Sequence, residues 1–313
     1  MHATLSTTTR AKRFERRENP SGLQLTLRDM RILSWVARHR FLSSEHLVKL
    51  DGGSQQNLLR CLRVLFDHGF LDRPHAQLAH LPISGPRPMV YGLGRRGAAT
   101  LRKLGYQLPK GTDWTERNKR AGAVYIEHTL EVAAFMASLE VGARNRPDIH
   151  VLWENDILRA APERTRAARE PLRWSVPKLE KTIGVGSVIA DGMVGFVYPD
   201  NTAAYFLLEL DRGTMPVTRR SYTQSSFARK LRIYYEGWKL GRQVEQFGIK
   251  QLRVLTVTNT RERLKNMVEA SQRVTGGSGA NFFLFADQAS LAANDPLSVE
   301  WISGKGEAVR LTD

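Results

Sequence analysis

Two short apolar runs flanked by carboxylates place the strongest constraint on the fold of this chain. The run Met193–Tyr198 follows Asp191, and the run Ala203–Leu208 leads directly into Glu209 and Asp211. Short apolar runs rich in β-branched and aromatic residues predict paired strands. Because a buried carboxylate is costly without a cationic partner, we expect a β-hairpin with a charged site at its open end.

The length of the turn decides which of these acids face each other. Side chains alternate along a strand, so Glu209 and Asp211 share one face. Directly opposed residues on paired strands also share a face. A three-residue turn, 199–201, pairs Asp191 with Glu209, and a five-residue turn, 199–203, pairs it with Asp211. Either odd-length turn brings three carboxylates together, whereas a four-residue turn places Asp191 on the other face.

Three carboxylates so arranged, with water and a phosphate oxygen, suit Mg²⁺ or Mn²⁺. Such an ion polarises a phosphodiester and lowers the pKa of an attacking water. Asp191, Glu209 and Asp211 are therefore the candidate metal ligands and catalytic groups. Lys230 is the next catalytic candidate, because it lies on the apolar side of a predicted helix, three residues after Phe227. Its ammonium either faces the scissile phosphate or extends to the rim of the apolar face.

The charge of the chain points to a polyanionic partner. The net charge is +16, and residues 1–105 carry 18 Lys and Arg against 7 Asp and Glu. A field of this sign favours nucleic acid first and an anionic membrane second. We find no apolar run near the ~20 residues that span a bilayer and no secretory signal, so we expect a cytoplasmic protein. The single cysteine, Cys61, excludes an internal disulfide and a cysteine-based metal cluster.

The first third of the chain predicts a basic arm followed by a small helical domain. Residues 1–24 are Thr-rich and then basic, which indicates disorder. In residues 25–105, Thr26 caps a first helix, and a third helix covers about 55–68. The order helix, helix, turn, helix, strand, loop, strand is that of a winged helix. The segment Tyr91–Gly97 resembles the second wing strand and following turn of bacterial winged-helix regulators.

In a winged helix the third helix enters the major groove of DNA. Amide and guanidinium groups match base edges and phosphates, although the same polar positions also suit an ordinary solvent-facing helix. The residues that we expect to contact DNA, on this helix and on the last helix of the domain, are Gln55, Gln56, Asn57, Arg60, Arg63, Arg95 and Arg96.

The remainder of the chain predicts an α/β domain with a mixed sheet. We expect a linker at 106–122, the α/β domain at 123–313, and an insertion or mobile loop at 155–182, which is charged and broken by prolines. Around the hairpin, the predicted elements are helix 123–144, strand 149–153, helix 221–240, strand 252–257, helix 260–274, strand 281–285 and strand 298–302.

The motifs in this order resemble those of a known family. They are Ala190-Asp-Gly, then Leu208-Glu-Leu-Asp-Arg-Gly213, then Arg229-Lys230 with Tyr234 or Tyr235. This pattern looks like the replication-relaxation family of plasmid and mobile-element proteins, over roughly residues 25–290. The resemblance implies an N-terminal winged helix and a domain similar to the PD-(D/E)XK nuclease fold.

The chain departs from the nuclease pattern at two positions. Ala190 stands where the pattern has proline, and Asp211 stands where it has lysine. In that superfamily the lysine can move to the following helix, where Lys230 stands; otherwise the site lacks its cation and is inactive. The resemblance also suggests that the helix with Glu131 flanks the site, where Glu131 serves as an outer ligand or has only a surface role.

Two functions remain open. The first is a DNA-binding protein of a plasmid or mobile element that nicks or cuts double-stranded DNA with a divalent metal ion. The alternative is a regulator or replication accessory factor, whose nuclease-like domain serves dimerisation or partner binding. A role in structural DNA packaging fits less well, because the chain has large apolar cores. We expect a homodimer, since winged helices commonly bind as dimers.

Overall fold

The computed structural model of the protein describes most of the chain. The described residues are 12–20, 22–80, 88–108, 112–184 and 186–312. They divide into two compact units, an N-terminal and a C-terminal one, and the boundary between Ala137 and Ser138 falls inside a long helix. Glu131 therefore belongs to the N-terminal unit, whereas the hairpin belongs to the C-terminal unit.

The N-terminal unit combines helices with a small antiparallel sheet. The sheet has three strands in the order β1-β3-β2, and a 3₁₀ turn, His75–His80, lies between β2 and β3 in sequence. The helices and strands of this unit are α1 (Leu27–His39), β1 (Phe41–Ser43), α2 (Ser44–Asp51), α3 (Gln55–Asp67), β2 (Leu71–Asp72), β3 (Val90–Leu93), α4 (Arg95–Lys103), α5 (Trp114–Lys119) and the first part of α6 (Ala123–Arg144).

Side-chain caps fix where the first and third helices begin. Thr26 accepts a hydrogen bond from the backbone of Asp29 before α1, and Ser54 accepts one from Asn57 before α3. Leu58 and Leu62 at helical spacing are fully buried. The neighbouring Leu59 is 40% exposed, because it lies one position to the side of that stripe.

The C-terminal unit is built on a seven-stranded sheet with the strand order β12-β11-β10-β9-β8-β7-β4. Strands β8, β9 and β10 run parallel, and the other pairs are antiparallel, which confirms the mixed-sheet α/β fold class. A separate two-stranded sheet joins β5 and β6. The elements are β4 (His150–Trp153), α7 (Glu154–Ala160), α8 (Glu163–Arg166), β5 (Arg173–Ser175), α9 (Pro177–Ile183), β6 (Ser187–Ile189), β7 (Gly192–Val197), β8 (Ala203–Asp211), α10 (Phe227–Lys239), α11 (Arg242–Phe247), β9 (Leu252–Thr258), α12 (Arg261–Val274), β10 (Phe283–Asp287), α13 (Gln288–Ala293), β11 (Trp301–Ser303) and β12 (Ala308–Val309).

The hairpin β7–β8 has the three-residue turn. Gly192 pairs with Leu208, and Tyr198 donates its backbone N–H to the carbonyl of Thr202 at 2.9 Å. Of the two odd-length alternatives, this register is the one that places Asp191 beside Glu209.

Two segments of the chain are more ordered than their composition indicates. Residues 155–182, expected to form an insertion or mobile loop, contain α8, β5 and most of α9, and Trp174 within them is fully buried. The indole N–H of Trp174 donates to the carbonyl of Ile233 at 3.2 Å. The expected linker, 106–122, contains α5, which begins where Asp113 accepts hydrogen bonds from the following backbone. In each segment the burial of a tryptophan, Trp174 or Trp114, favours an ordered structure despite the surrounding charged residues.

The basic arm, expected to be disordered, also packs on the N-terminal unit over residues 12–20. Arg63 donates to the carbonyls of Lys12 and Glu15, both at 3.0 Å. Arg16 pairs with Asp72, which is 6% exposed. A buried carboxylate needs a cation, and the arm supplies one.

Candidate functional site

Glu209 is the centre of a buried polar cluster in the C-terminal unit. It lies near the end of β8, is 1% exposed, and accepts hydrogen bonds from Lys230 at 2.6 Å and from the hydroxyl of Tyr234 at 2.5 Å. Both donors come from α10, four residues apart, so they lie on one face of that helix. Lys230 therefore lies against the hairpin.

The pKa values in this cluster reflect burial and the crowding of charge. The pKa of Glu209 is raised: burial is the largest cause, Lys230 opposes it, and the charge of Asp191 adds to the increase. Burial lowers the pKa of Lys230, but Glu209 and other carboxylates outweigh this, so its pKa is raised. Burial and Glu209 hold the pKa of Tyr234 well above its ordinary value. The ammonium and the phenol thus keep their protons and donate to one carboxylate.

Asp191 lies at the start of the hairpin and is held by the partner strand. Its backbone N–H donates to the carbonyl of Leu208, and its carboxylate accepts the backbone N–H of Leu210, both at 2.8 Å. Its charge contributes to the raised pKa values of Glu209 and Lys230. Asp191, Glu209 and Lys230 therefore form one electrostatic group.

Asp211 faces a different partner. Arg263 donates to its two oxygens from Nε at 2.5 Å and Nη2 at 2.8 Å, and Thr258 donates its hydroxyl at 2.8 Å. The parallel pairing of β8 with β9 sets Asp211 opposite Thr258, and α12 with Arg263 begins soon afterwards. Asp211 is thereby neutralised inside the protein.

The three-carboxylate metal site expected from the sequence does not form in this arrangement. No cluster of three or more His, Cys, Asp or Glu side chains placed to hold a metal ion occurs in the described part of the chain. The physical reason is that Asp211 forms an ion pair with Arg263, while the two oxygens of Glu209 accept hydrogen bonds from Lys230 and Tyr234.

Glu154 is a residue of this region that the sequence analysis missed. It follows β4, whose last residue, Trp153, pairs with Val194. The backbone N–H of Met193, two residues after Asp191, hydrogen-bonds to its carboxylate, and burial raises the pKa of Glu154 to about 7. The available signal was an acid directly after a predicted strand, the same signal that singled out Glu209.

In the N-terminal unit, four of the residues expected to contact DNA lie together on the first turns of α3. Gln55, Gln56, Asn57 and Arg60 are all exposed. Within the described ranges, none of their side chains has a protein hydrogen-bond or ion-pair partner. They form a continuous polar surface at the start of the helix.

The comparison with protein families decides the classification. A family model described as replication-relaxation matches residues 33–270, which is more than half of the chain.

The chain belongs to the replication-relaxation family.

In the comparisons with curated proteins and with solved structures, nothing matches it. Over the ranges that the structure describes, none of the helices has the length and apolar character needed to cross a membrane.

In this replication-relaxation protein, the other three expected DNA contacts are engaged with the protein itself. Arg63 pairs with Asp67 at 2.9 Å, in addition to holding the arm. Arg95 pairs with Asp113 at 2.6 Å, and Arg96 donates to the carbonyl of His68 at 3.0 Å. Arg63 in particular has a structural role, because its position on α3 faces the arm and Asp67.

Proposed function

We propose that the protein is a DNA-binding replication factor, whose N-terminal unit is a winged helix that reads duplex DNA with α3. The observation that carries the proposal is the exposed surface of Gln55, Gln56, Asn57 and Arg60, whose side chains lack protein partners among the described residues. Glutamine and asparagine pair with adenine, and arginine pairs with guanine or phosphate. The family to which the chain belongs supports a role in replication or relaxation.

The position of these residues on the helix supports the same proposal. In helix-turn-helix proteins, the N-terminal residues of the recognition helix contact base edges. Here Ser54 caps α3, so Gln55 to Asn57 form its first turn. The excess of positive charge over residues 1–105 adds a sequence-independent attraction for phosphates.

The test is DNA binding by full-length variants, measured by fluorescence anisotropy on a duplex selected from a random library. We expect Gln56→Ala and Arg60→Ala each to weaken specific binding by about 1–3 kcal/mol, or roughly 5- to 150-fold. Arg31→Ala is the matched control, because it removes an exposed arginine from α1. Unchanged affinity in both α3 variants, or an equal loss in the control, would contradict the proposal.

Metal-dependent nicking with Mg²⁺ or Mn²⁺ is the second candidate function. It is favoured by the grouping of Asp191, Glu209 and Lys230, the residue types that the nuclease resemblance requires. As arranged, these carboxylates do not fit a metal ion, because Arg263 neutralises Asp211, and Lys230 and Tyr234 hydrogen-bond to Glu209. We therefore favour an accessory factor whose nuclease-like C-terminal unit serves dimerisation or partner binding.

Incubation of supercoiled plasmid with the protein and Mn²⁺ separates these two candidates. Nicking that requires Mn²⁺ and is lost in Asp191→Asn and Glu209→Gln establishes the nuclease and contradicts the accessory role. Intact plasmid under all conditions supports the accessory role. The homodimer, the cytoplasmic location and the association with a plasmid or mobile element stay predictions.

A further inference from the structure

The segment that follows Asp211 has an unusual charge. Residues 212–235 contain six basic residues and no acidic residue. The segment leaves the end of β8, forms a loop, and enters α10. All six basic residues lie within 212–232, which we call the basic segment. They are Arg212, Arg219, Arg220, Arg229, Lys230 and Arg232.

Most of this positive charge is not cancelled by the contacts that the structure shows. Arg219 and Arg220 are exposed, and no described residue bonds to their side chains. Arg229 donates to the carbonyl of Thr223 at 2.9 Å, and the guanidinium of Arg232 lies 4.6 Å from the ring centre of Tyr222. Because a carbonyl and an aromatic ring are neutral, these contacts position the two arginines but do not neutralise their positive charge. Lys230, by contrast, is paired with Glu209.

The neutral residues of the loop have the chemistry of a phosphate-binding surface. Hydroxyl and amide side chains bind phosphate oxygens alongside arginine. Thr218, Ser221, Thr223, Gln224 and Ser225 are all exposed, on either side of Arg219 and Arg220 in the sequence. The loop ends at Ser226, which caps α10, so the positive end of the helix dipole adds to the local field.

We propose that the basic segment is a second nucleic-acid contact, which binds the phosphate backbone of duplex DNA without reading its bases. This inference goes beyond the proposed function, because it places a DNA contact in the C-terminal unit and does not depend on α3.

The observations favour a duplex over two other polyanions. None of the exposed large hydrophobic residues among the described residues lies in 212–232, so no large exposed apolar side chain there is available to insert into a membrane. Single strands bind by stacking bases on aromatic rings. Tyr222, the segment's tyrosine, is covered by Arg232. Backbone contact with a duplex requires only the guanidinium, hydroxyl and amide groups that are present.

The test is the salt dependence of binding to a duplex of random sequence, using full-length Arg219→Ala/Arg220→Ala. Each lost phosphate contact lowers the slope of log K against log salt by about 0.9, so we expect the slope to fall by about 2. Over a tenfold rise in salt, the unaltered protein then loses about 60-fold more affinity than the variant. Lys178→Ala/Lys181→Ala is the matched control, since it removes two exposed charges from α9 of the same unit.

Three outcomes would overturn the inference. One is an unchanged slope, and another is an equal change in the control. The third is a variant that keeps its duplex affinity but loses binding to vesicles of phosphatidylserine and phosphatidylcholine, which would identify a membrane surface. The outcome is distinct from that of the α3 test, because the basic-segment variant loses affinity equally for all sequences. Gln56→Ala alters the preference between sequences. An unchanged melting temperature verifies that the double variant is folded.

Discussion

Replacing Lys230 by methionine is the sharpest test of the buried cluster in the C-terminal unit. Methionine keeps most of the side-chain volume and removes the ammonium. Among the described residues, Glu209, which is 1% exposed, would then retain one side-chain donor, the hydroxyl of Tyr234. A carboxylate left buried without its cation is strongly destabilising.

The expected cost follows from the burial of the two partners. Removing one partner of a buried ion pair costs about 3–5 kcal/mol. The side chain of Lys230 is 32% exposed, so solvent screens part of its charge, and we expect the lower end, about 3 kcal/mol. Glu209→Gln removes the charge that needs the lysine. Adding it to Lys230→Met should recover about 2 kcal/mol of the loss.

The assay is urea unfolding of the C-terminal unit, followed by fluorescence. With a slope of about 2 kcal/mol per molar urea, the midpoint of Lys230→Met should fall by about 1.5 M. Lys239→Met is the matched control on the same helix. It removes an exposed i,i+3 pair with Glu236 and should cost less than about 1 kcal/mol. Equal losses in the two variants, or no recovery in the double variant, would refute the reasoning.

Two further changes test the packing and the titration of this unit. In Gly237→Ala the added Cβ would lie 2.2 Å from Nε1 of Trp174. We therefore expect the free energy of unfolding, measured in urea, to fall by about 1–3 kcal/mol, although alanine has a higher intrinsic helix propensity than glycine. Equal or higher stability would show that the helix has room at Gly237. The pKa of Glu154 is raised from 4.5 to about 7, so ionisation opposes folding as pH rises through this range. Glu154→Gln should match the unaltered protein below pH 4.5 and exceed it above pH 7, by up to about 3 kcal/mol. Thermal melts across this range check this, and a difference independent of pH would contradict it.

Local signals in the sequence predicted much of the fold. A capping residue, Thr26, followed by an apolar stripe placed the start of α1, and the predicted third helix at about 55–68 corresponds to α3. Alternation showed that two registers of the hairpin place the three carboxylates on one face, and the structure has the one with the shorter turn. The spacing of Lys230 from Phe227 placed the lysine on the apolar side of its helix, and in the structure it bonds to Glu209 of the hairpin. Each inference depends on residues a few positions apart.

The parts that were missed depend on contacts between distant residues. Arg263 reaches Asp211 across 52 positions, through the pairing of β8 with β9, and no local pattern indicates it. The arm reaches Arg63 across about 50 positions. Strand β1 has only three residues, too few for a periodicity to show. The charged composition of 155–182 indicated an insertion or mobile loop, because composition does not show that Trp174 is buried against distant residues.

The attachment of the arm to α3 affects how the protein is best shortened or tagged. A truncated version that starts at residue 25 would lack the carbonyls that Arg63 binds and the arginine that pairs with Asp72. The negative charges of Asp67, on α3, and of Asp72, beside it, would then be less fully neutralised, close to the helix that we propose binds DNA. Trimming what resembles a dispensable tail would weaken affinity for reasons unrelated to the tail's own contacts with nucleic acid.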